Sequence, residues 1–274
     1  MTKHHMPIFV INLESQRERR SNVLRQFKDS SLKPTLVTAF DGHDPKFPFP
    51  RYRHLAGRFW ESESDFKPGA FCCYLSHAQC WREIAAGNAE LGLVLEDDVE
   101  INVQALADFS VENPKELDLV FVNQRTSNYL KYLPAVAEDR VGMGDLITRL
   151  IVNGTFAKRI PVPGADGYVV SKSGAEKLLR MMGTRGICMG VDYALVLNSL
   201  DAGQIETLSG IDSANLPFST RCFLANETRI STGPIGLDSF IHTGTPLVAL
   251  GRFKSTIRHE VRRSNQAFDP DPGR

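Results

Sequence analysis

The sequence predicts an α/β fold in which a mostly parallel sheet is flanked by helices. Short apolar runs, each long enough for one buried strand, alternate along the chain with amphipathic stretches of helical spacing. The 274 residues are 42% hydrophobic and 23% charged, which is a globular composition with enough apolar surface for a large core. Alternating strands and helices of this kind favour a sheet covered on both faces.

The first part of the chain contains three of the predicted strands. They lie at residues 7–13, 36–40 and 91–95, where the sequence is almost continuously apolar. Helices are predicted at residues 15–27, from residue 68 through 85, and near residues 103–109. Residues 41–65 are rich in proline, glycine and aromatic side chains, a pattern typical of an irregular lid or binding loop.

The second part of the chain is less clearly patterned. Strands are predicted at residues 117–123, 168–171 and 204–208, and helices at residues 173–182 and 191–200. Residues 129–163 are interpreted as a loop with short elements, and the last six residues, DPDPGR, as a frayed tail.

Charge and composition exclude several classes of protein. The 32 basic and 32 acidic side chains give no net charge, which argues against a general nucleic-acid binder. No apolar run approaches the length of a membrane span, and no secretory signal is recognisable, so a cytoplasmic location is expected. Five cysteines without a C-x-x-C pair indicate reduced thiols and predict no structural zinc site.

The segment LGLVLEDDVE at residues 91–100 carries the strongest chemical signal. An apolar strand runs directly into Glu96, Asp97 and Asp98, and adjacent carboxylates resist burial, so they belong at the carboxyl end of the strand where open α/β sheets bind ligands. Strand alternation places Glu96 and Asp98 on the same side, and such oxygen ligands suit Mn²⁺ or Mg²⁺ shared with a diphosphate. A solvated strand end is the simpler alternative, but three acids after five apolar residues favour function.

Two other chemistries place acids at a strand end. A response-regulator receiver needs a later phosphoacceptor Asp and a Lys, but Asp118 lies at the start of the predicted strand LDLVFVN and no following Lys fits. A haloacid-dehalogenase phosphatase needs an Asp-x-Asp motif, which the Glu-Asp-Asp run does not provide. Both alternatives are therefore less favoured.

An ordered series of short motifs resembles glycosyltransferase family 25, which includes bacterial lipooligosaccharide galactosyltransferases and collagen hydroxylysine galactosyltransferases. The series covers about residues 7–200 and is specific only when taken together. One segment, Gly69-Ala70-Phe71-Cys72-Cys73, departs from the usual Gly-Glu-Ile-Gly-Cys and loses an acid and a glycine, which puts the donor or acceptor preference in doubt. The motifs are Ile11-Asn12-Leu13, Glu18-Arg19-Arg20, Ala39-Phe40-Asp41-Gly42, Leu75-Ser76-His77 with Trp81, Leu95-Glu96-Asp97-Asp98-Val99, Gly167-Tyr168-Val169-Val170-Ser171, Gly174-Ala175-Glu176-Lys177-Leu178-Leu179 and Val191-Asp192.

The resemblance implies a single GT-A-like (Rossmann-like) domain over residues 1–274. It implies an inverting glycosyltransferase that depends on Mn²⁺ or Mg²⁺. The enzyme would move a hexose, with galactose as the expected sugar, from a UDP-sugar donor. The expected acceptor is a saccharide of a bacterial lipooligosaccharide or another surface glycan. Such acceptors are assembled at the inner face of the cytoplasmic membrane. Two alternatives remain open: a non-catalytic nucleotide- or glycan-binding relative, and a metal-dependent phosphohydrolase or nucleotidyltransferase.

The resemblance also implies roles for individual residues. Asp98 is the expected metal ligand, with Glu96 beside it. His242 lies beyond the residues that carry the resemblance and is a further candidate ligand, because C-terminal histidines complete the metal or diphosphate site in many GT-A enzymes. Asp192 is the expected catalytic base, although the helix dipole alone favours an acid in a first helical turn by about 0.3–1 kcal/mol. The residues expected to bind the donor are Asn12, Leu13, Arg19, Ala39, Asp41, Ser76, His77, Glu96 and Asp97.

Two further clusters have competing interpretations. Cys73, His77 and Cys80 share one helix face and could hold a soft metal, but a fourth ligand is missing and core packing is favoured. Residues 252–274 form a basic segment and tail, in which a cationic helix face could contact a phosphorylated acceptor or an anionic membrane. A solvated helix is the alternative for that segment.

Overall fold

A computed structural model describes residues 6–56, 67–111, 113–123, 140–152, 164–209, 220–225 and 230–232. The strands are β1 (Ile8–Asn12), β2 (Pro34–Thr38), β3 (Leu91–Glu96), β4 (Val99–Ile101), β5 (Leu119–Phe121), β6 (Arg140–Gly142), β7 (Gly167–Ser171), β8 (Cys222–Ala225) and β9 (Ile230–Thr232). The helices are α1 (Arg17–Gln26), α2 (Phe49–Tyr52), α3 (Pro68–Ala86), α4 (Val103–Ala107), α5 (Met143–Val152), α6 (Lys172–Arg185), α7 (Val191–Leu197) and α8 (Ala202–Ser209), with short 3₁₀ turns at Arg53–Leu55 and Pro114–Glu116.

A seven-stranded sheet organises these elements in the order β2-β1-β3-β7-β5-β8-β6. Strands β1, β2, β3, β5 and β8 run in one direction, whereas β7 and β6 run in the other. A separate pair is formed by β4 and β9. The predicted α/β class with a mostly parallel sheet is confirmed.

Both faces of the sheet are covered, which explains why its strands are continuously apolar. In β1, Ile8 and Val10 pack in one cluster with residues of α1, while Phe9 and Ile11 pack in the other with residues of α3. Strand β3 alternates in the same way, with Val94 on the α3 side. The two cores lie on opposite faces because successive strand side chains point in opposite directions.

The predicted strand at residues 204–208 is wrong, because this segment belongs to helix α8. The Asp201 carboxylate accepts a hydrogen bond from the Gln204 amide at 2.8 Å, and the Gln204 side chain accepts one from the Asp201 amide at 3.0 Å. This reciprocal arrangement is a capping box, which starts a helix. The alternating apolar residues were a weaker signal than the cap.

The other differences concern boundaries. Strand β2 begins two residues before its predicted start at residue 36, and β5 is shorter than the predicted 117–123. The weakly patterned region 129–163 contains β6 and the ten-residue helix α5. His242 and the basic segment 252–274 lie outside the described residues.

Candidate active site

The carboxyl ends of β1 and β3 lie together at one edge of the sheet. These strands are parallel, with Ile11 opposite Glu96, so Asn12 and the acidic turn after β3 occupy the same edge. Strand β7 is antiparallel and therefore starts there, with Gly167 opposite Leu95. The edge brings together residues far apart in the sequence, as expected where open α/β sheets bind ligands.

Asp97 is held inside this edge rather than exposed to solvent. Its Oδ2 accepts a hydrogen bond from Asn12 Nδ2 at 2.6 Å, and its Oδ1 lies 3.4 Å from Arg19 Nη1. Burial raises the pKa of the Asp97 carboxyl, although the hydrogen bond from Asn12 and the charge of Arg19 oppose that rise. Asp97 therefore joins the end of β1, helix α1 and the acidic turn.

Asp98 is more accessible than Asp97 and shares the same arginine. Its Oδ2 lies 3.5 Å from Arg19 Nη1, and its side chain is 19% exposed. Strand β3 ends at Glu96, so the strand alternation used to pair Glu96 with Asp98 does not extend through the turn. Arg19 balances at most one of the three adjacent carboxylate charges.

Glu96 faces a buried chain of hydrogen bonds from helix α3 and strand β7. Trp81 Nε1 donates to the Tyr168 hydroxyl at 2.8 Å, which lies 2.9 Å from His77 Nδ1, and His77 Nε2 lies 3.4 Å from Glu96 Oε1. These groups are mutually satisfied when Tyr168 donates to Nδ1 and Nε2–H donates to the ionised Glu96.

His77, the histidine of this hydrogen-bonded series, is uncharged near neutral pH. Burial lowers the pKa of His77 to about 4, although the charges of Asp192 and Asp166 act in the opposite direction. The contact between His77 and Glu96 is therefore a long hydrogen bond rather than an ion pair. Its geometric role is to hold the Glu96 carboxylate at the sheet edge.

Cys73 also lies beside this carboxylate. The ligand atoms of Cys73, His77 and Glu96 are all within 4.8 Å of one another. Burial raises the pKa of the Cys73 thiol well above its usual value, and the charges of Glu96, Asp192 and Asp98 add to the effect. Cys80, the third member of the predicted helix-face stripe, is fully buried in the apolar core.

Asp192, the predicted base, lies in the first turn of helix α7. Its Oδ1 accepts a hydrogen bond from the Ala165 amide at 2.7 Å, which ties α7 to the segment before β7. Its charge also acts on Cys73 and His77. The structure therefore brings Asp192 toward the acidic turn and gives one of its oxygens an anchoring role.

The remaining predicted donor-binding residues surround this edge. Ser76 is buried, and its hydroxyl donates to Cys72 O at 2.7 Å and accepts from the Phe40 amide at 2.9 Å, so it joins α3 to the segment after β2. The Ala39 amide donates to Asn12 O at 2.9 Å. Asp41 accepts the His43 amide at 2.8 Å, and Leu13 is half-buried with its carbonyl accepting the Gln16 amide.

Two residues at this edge, Asp166 and Tyr168, were not among the predicted site residues. Asp166 precedes β7, and its Oδ1 accepts a hydrogen bond from Asn123 Nδ2 at 2.6 Å. Tyr168 joins Trp81 to His77. The sequence signal for Asp166 was an acid directly before an apolar strand. It indicates this site only once β7 is known to be antiparallel, because the start of β7 then lies beside the end of β3.

The carboxylates fit a hard divalent cation. Oxygen ligands of Asp98 and Glu96 are the type that Mn²⁺ and Mg²⁺ prefer, and both side chains are partly accessible. The buried Asp97 has its oxygens engaged by Asn12 and Arg19 and supports the turn. His242 lies outside the described residues, so its part in this site stays a prediction.

Comparison with known protein families gives an independent match. A family model described as glycosyltransferase family 25 (LPS biosynthesis protein) matches residues 5–195. Human procollagen galactosyltransferase 2 is 26% identical over 182 residues, and zebrafish (Danio rerio) procollagen galactosyltransferase 1 is 25% identical over 185 residues. Each alignment covers 63% of this chain but only 27% or 28% of the relative, so the chain spans about a quarter of the length of these proteins.

Solved structures give a weaker likeness. A glycosyltransferase involved in glycosylation of the major capsid of PBCV-1 is 8% identical, and the galactosyltransferase LgtC is 10% identical. The matches cover 92% and 94% of this chain and 98% and 100% of those chains, each with a TM-score of 0.39. Among the described residues, no helix combines the length and the apolar character needed to cross a membrane.

Proposed function

The chain belongs to glycosyltransferase family 25, and we propose that it transfers a hexose, galactose, from a UDP-sugar to a saccharide acceptor with inversion at the anomeric carbon. One observation carries the proposal: the acidic turn after β3 is assembled with Asn12 and Arg19 at the sheet edge that Asp192 also approaches. The galactosyltransferase relatives favour galactose as the transferred sugar.

The donor would lie across the carboxyl ends of β1 and β3. Asp98 and Glu96 are the residues that would hold Mn²⁺ or Mg²⁺, and Asp97 keeps the turn in place through Asn12 and Arg19. When bound, the ion supplies Lewis-acid stabilisation of the departing nucleoside diphosphate. His77 restrains Glu96 from the protein side.

Asp192 is proposed as the base that accepts the proton of the acceptor hydroxyl. That oxygen forms a bond to the anomeric carbon on the face opposite the diphosphate, while the carbon–oxygen bond to UDP breaks and UDP leaves with the bonding electron pair. The Ala165 amide bound to Oδ1 fixes the orientation of the carboxylate. A single displacement of this kind inverts the configuration.

The acceptor is proposed to be a growing bacterial lipooligosaccharide or another surface glycan, encountered at the cytoplasmic face of the membrane. The description of the matching family as an LPS biosynthesis protein supports this choice. Peripheral contact through residues 252–263 stays a prediction. Flotation with anionic liposomes tests it, and full recovery of the protein away from the vesicles would contradict it.

The decisive experiment is slow donor hydrolysis with a panel of nucleotide sugars. UDP release is measured with and without Mn²⁺ for the wild type, Asp98→Ala and a control, Asp108→Ala, which removes an exposed acid at the end of α4. We expect release from UDP-galactose that requires Mn²⁺, survives in Asp108→Ala and falls at least about a hundredfold in Asp98→Ala.

The same assay separates the alternative functions. Metal-dependent UDP binding by calorimetry without turnover, even when saccharide acceptors are added, would indicate a binding-only relative. Hydrolysis of phosphate esters with no sugar transfer would indicate a phosphohydrolase. Absence of both UDP binding and turnover would overturn the assignment of the acidic turn.

A further inference from the structure

We propose that Cys73, His77 and Glu96 form a second metal site, selective for a thiophilic divalent ion such as Zn²⁺ or Co²⁺. The thiol and the imidazole come from consecutive turns of α3, four residues apart, and the carboxylate from the end of β3. This ligand set combines sulfur, nitrogen and oxygen, which suits zinc better than manganese or magnesium.

The separations match a metal centre before any ion is bound. Zinc holds nitrogen and oxygen ligands at about 2.0–2.1 Å, so two such atoms at a tetrahedral angle are about 3.4 Å apart. His77 Nε2 and Glu96 Oε1 are 3.4 Å apart, which is long for a hydrogen bond between them. Cys73 completes the triangle within 4.8 Å, and a tetrahedral sulfur–nitrogen separation of about 3.6 Å is within reach of a side-chain adjustment.

The histidine is held in a way that suits a metal ligand. Its Nδ1 lies 2.9 Å from the Tyr168 hydroxyl, and this oxygen already accepts a hydrogen bond from Trp81. Metal binding at Nε2 requires the tautomer opposite to that of the metal-free arrangement, with the proton on Nδ1. The Tyr168 oxygen then accepts this proton through its second lone pair, and the lone pair of Nε2 faces Glu96. A partner on the opposite ring nitrogen is the usual means of orienting a metal-binding imidazole.

The surrounding charge also favours a dication. Asp192 and Asp98 act electrostatically on Cys73, together with Glu96 itself. Metal binding replaces the proton on the Cys73 sulfur, and that proton is released to solvent. The three protein ligands leave a fourth tetrahedral position open to water.

Glu96 belongs to both the carboxylate site and this thiolate site. A zinc ion on Cys73, His77 and Glu96 withdraws that carboxylate from the ion held by Asp98, so Zn²⁺ is expected to compete with Mn²⁺. Binding itself does not depend on the proposed transferase activity, so the two proposals fail independently.

The test is titration of the purified full chain with Co²⁺ under reducing conditions. Tetrahedral cobalt bound to a thiolate gives intense visible bands and a near-ultraviolet sulfur-to-cobalt charge-transfer band. We expect these bands to saturate at one ion per chain and to disappear when Zn²⁺ is added. In Cys73→Ser the charge-transfer band should be lost and the Zn²⁺ affinity reduced at least about tenfold, whereas Cys80→Ser, a control on the same helix, should retain both.

Two further variants keep the result interpretable. Glu96→Gln should weaken cobalt binding while leaving the charge-transfer band at high cobalt, and Asp98→Asn should leave the cobalt spectrum unchanged. Circular dichroism confirms that each variant is folded. A wild-type spectrum without a sulfur band, or a band that persists in Cys73→Ser, would overturn the proposal.

Discussion

Three adjacent acids at the end of β3 have three different surroundings. Glu96 contacts the neutral imidazole of His77, Asp97 is buried against Asn12, and Asp98 is partly exposed beside Arg19. These partners let neighbouring carboxylates coexist at short range, because Asn12 donates to Asp97 and the Arg19 guanidinium lies beside both Asp97 and Asp98. At the scale of single residues, the three carboxylates of this short turn therefore have distinct roles.

Arg19 is expected to control how strongly this turn binds a cation. Its guanidinium contacts both Asp97 and Asp98, and a unit charge about 4 Å away in water is worth about 1 kcal/mol. Because Mn²⁺ carries two charges, Arg19→Gln should raise the Mn²⁺ affinity of the nucleotide-free protein by at least about fivefold, measured by calorimetry.

The control for this prediction is Arg17→Gln, an exposed position on the same helix. Equal Mn²⁺ affinities for the wild type and Arg19→Gln would show that the guanidinium does not act on the metal site. Titration of the same samples with UDP tests whether Arg19 also contacts the nucleotide.

Asp192→Asn separates the anchoring role of this residue from its proposed role as a base. Asparagine keeps an oxygen that can accept the Ala165 amide, but it cannot take a proton from the acceptor. We expect kcat for transfer to fall by about a hundredfold or more with UDP affinity unchanged. Transfer at the wild-type rate would eliminate the base.

How far these residues were predictable depends on the kind of signal they carry. Glu96, Asp97 and Asp98 were predictable because adjacent carboxylates resist burial, so three acids directly after an apolar strand indicate a functional role. Asp166 and Tyr168 were not, because a single Asp and a single Tyr beside a strand have many ordinary explanations. Only the antiparallel direction of β7 places them at the site.

At the scale of elements, helix α3 is the support of the site. It supplies Cys73, Ser76 and His77, and its first turn lies against Gly42 in the loop after β2. The loop approaches so closely that a Cβ atom added to Gly42 would lie 2.4 Å from the carbonyl carbon and oxygen of Pro68. This backbone contact explains the glycine of the Asp41-Gly42 motif in physical terms.

Gly42→Ala should lower the free energy of unfolding by about 1–3 kcal/mol, since backbone must move to accommodate the methyl group. Urea denaturation measures the change. The control is Gly183→Ala in α6, where nothing lies within 4 Å of the added Cβ. Alanine in a helix is favoured over glycine by about 0.5–1 kcal/mol, so the two substitutions should have opposite signs.

Helix α8 shows that a capping box can outweigh an alternating pattern of apolar residues in deciding between helix and strand. Its alternating residues favoured a strand, but the capping box of Asp201 and Gln204 specifies a helix start through two hydrogen bonds. By contrast, β1, β3 and α3 were predicted within one or two residues, because long apolar runs and a proline start leave few alternatives.

At the scale of the whole molecule, Asp118 joins three parts of the fold. Its buried carboxylate accepts Lys177 Nζ of α6 at 2.7 Å and contacts Arg221, which precedes β8, through the backbone amide at 2.7 Å and the guanidinium at 3.2 Å. Burial alone would raise the pKa of Asp118, but hydrogen bonds from Arg221 and Lys177 outweigh it and hold the pKa below its usual value.

Asp118→Asn should lower the free energy of unfolding by about 2–3 kcal/mol. Breaking a buried ion pair costs about 3–5 kcal/mol, and the partial exposure of Lys177 and Arg221 reduces this value. Urea denaturation measures the loss, with the exposed Asp108→Asn as control. An unchanged midpoint would show that Asp118 contributes no net stability.

Global stability should also depend on pH through His77. The folded pKa of about 4 lies below the unfolded value of 6.5, so the unfolded state binds more protons between these values and stability falls as the pH falls. The loss should reach about 3 kcal/mol in full.

Urea denaturation at several pH values between about 7 and 4.5 measures this slope. His77→Gln should flatten it, whereas the exposed His54→Gln should leave it intact. An equal slope in the wild type and His77→Gln would assign the pH dependence to other groups.

The antiparallel β7, which lies between the parallel strands β2-β1-β3 and the strand pair β5-β8, has a consequence for synthesis on the ribosome. Strands β1, β2 and β3 emerge early and can pair. The long side of β3 that pairs with β7 has no partner strand, however, until residues 167–171 have been made. At roughly 5–20 residues per second, the nascent chain carries this apolar edge uncovered for several seconds. Unpaired edges invite association with other chains, so slow translation just before β7 is expected to lower the yield of folded protein without changing the molecules that do fold.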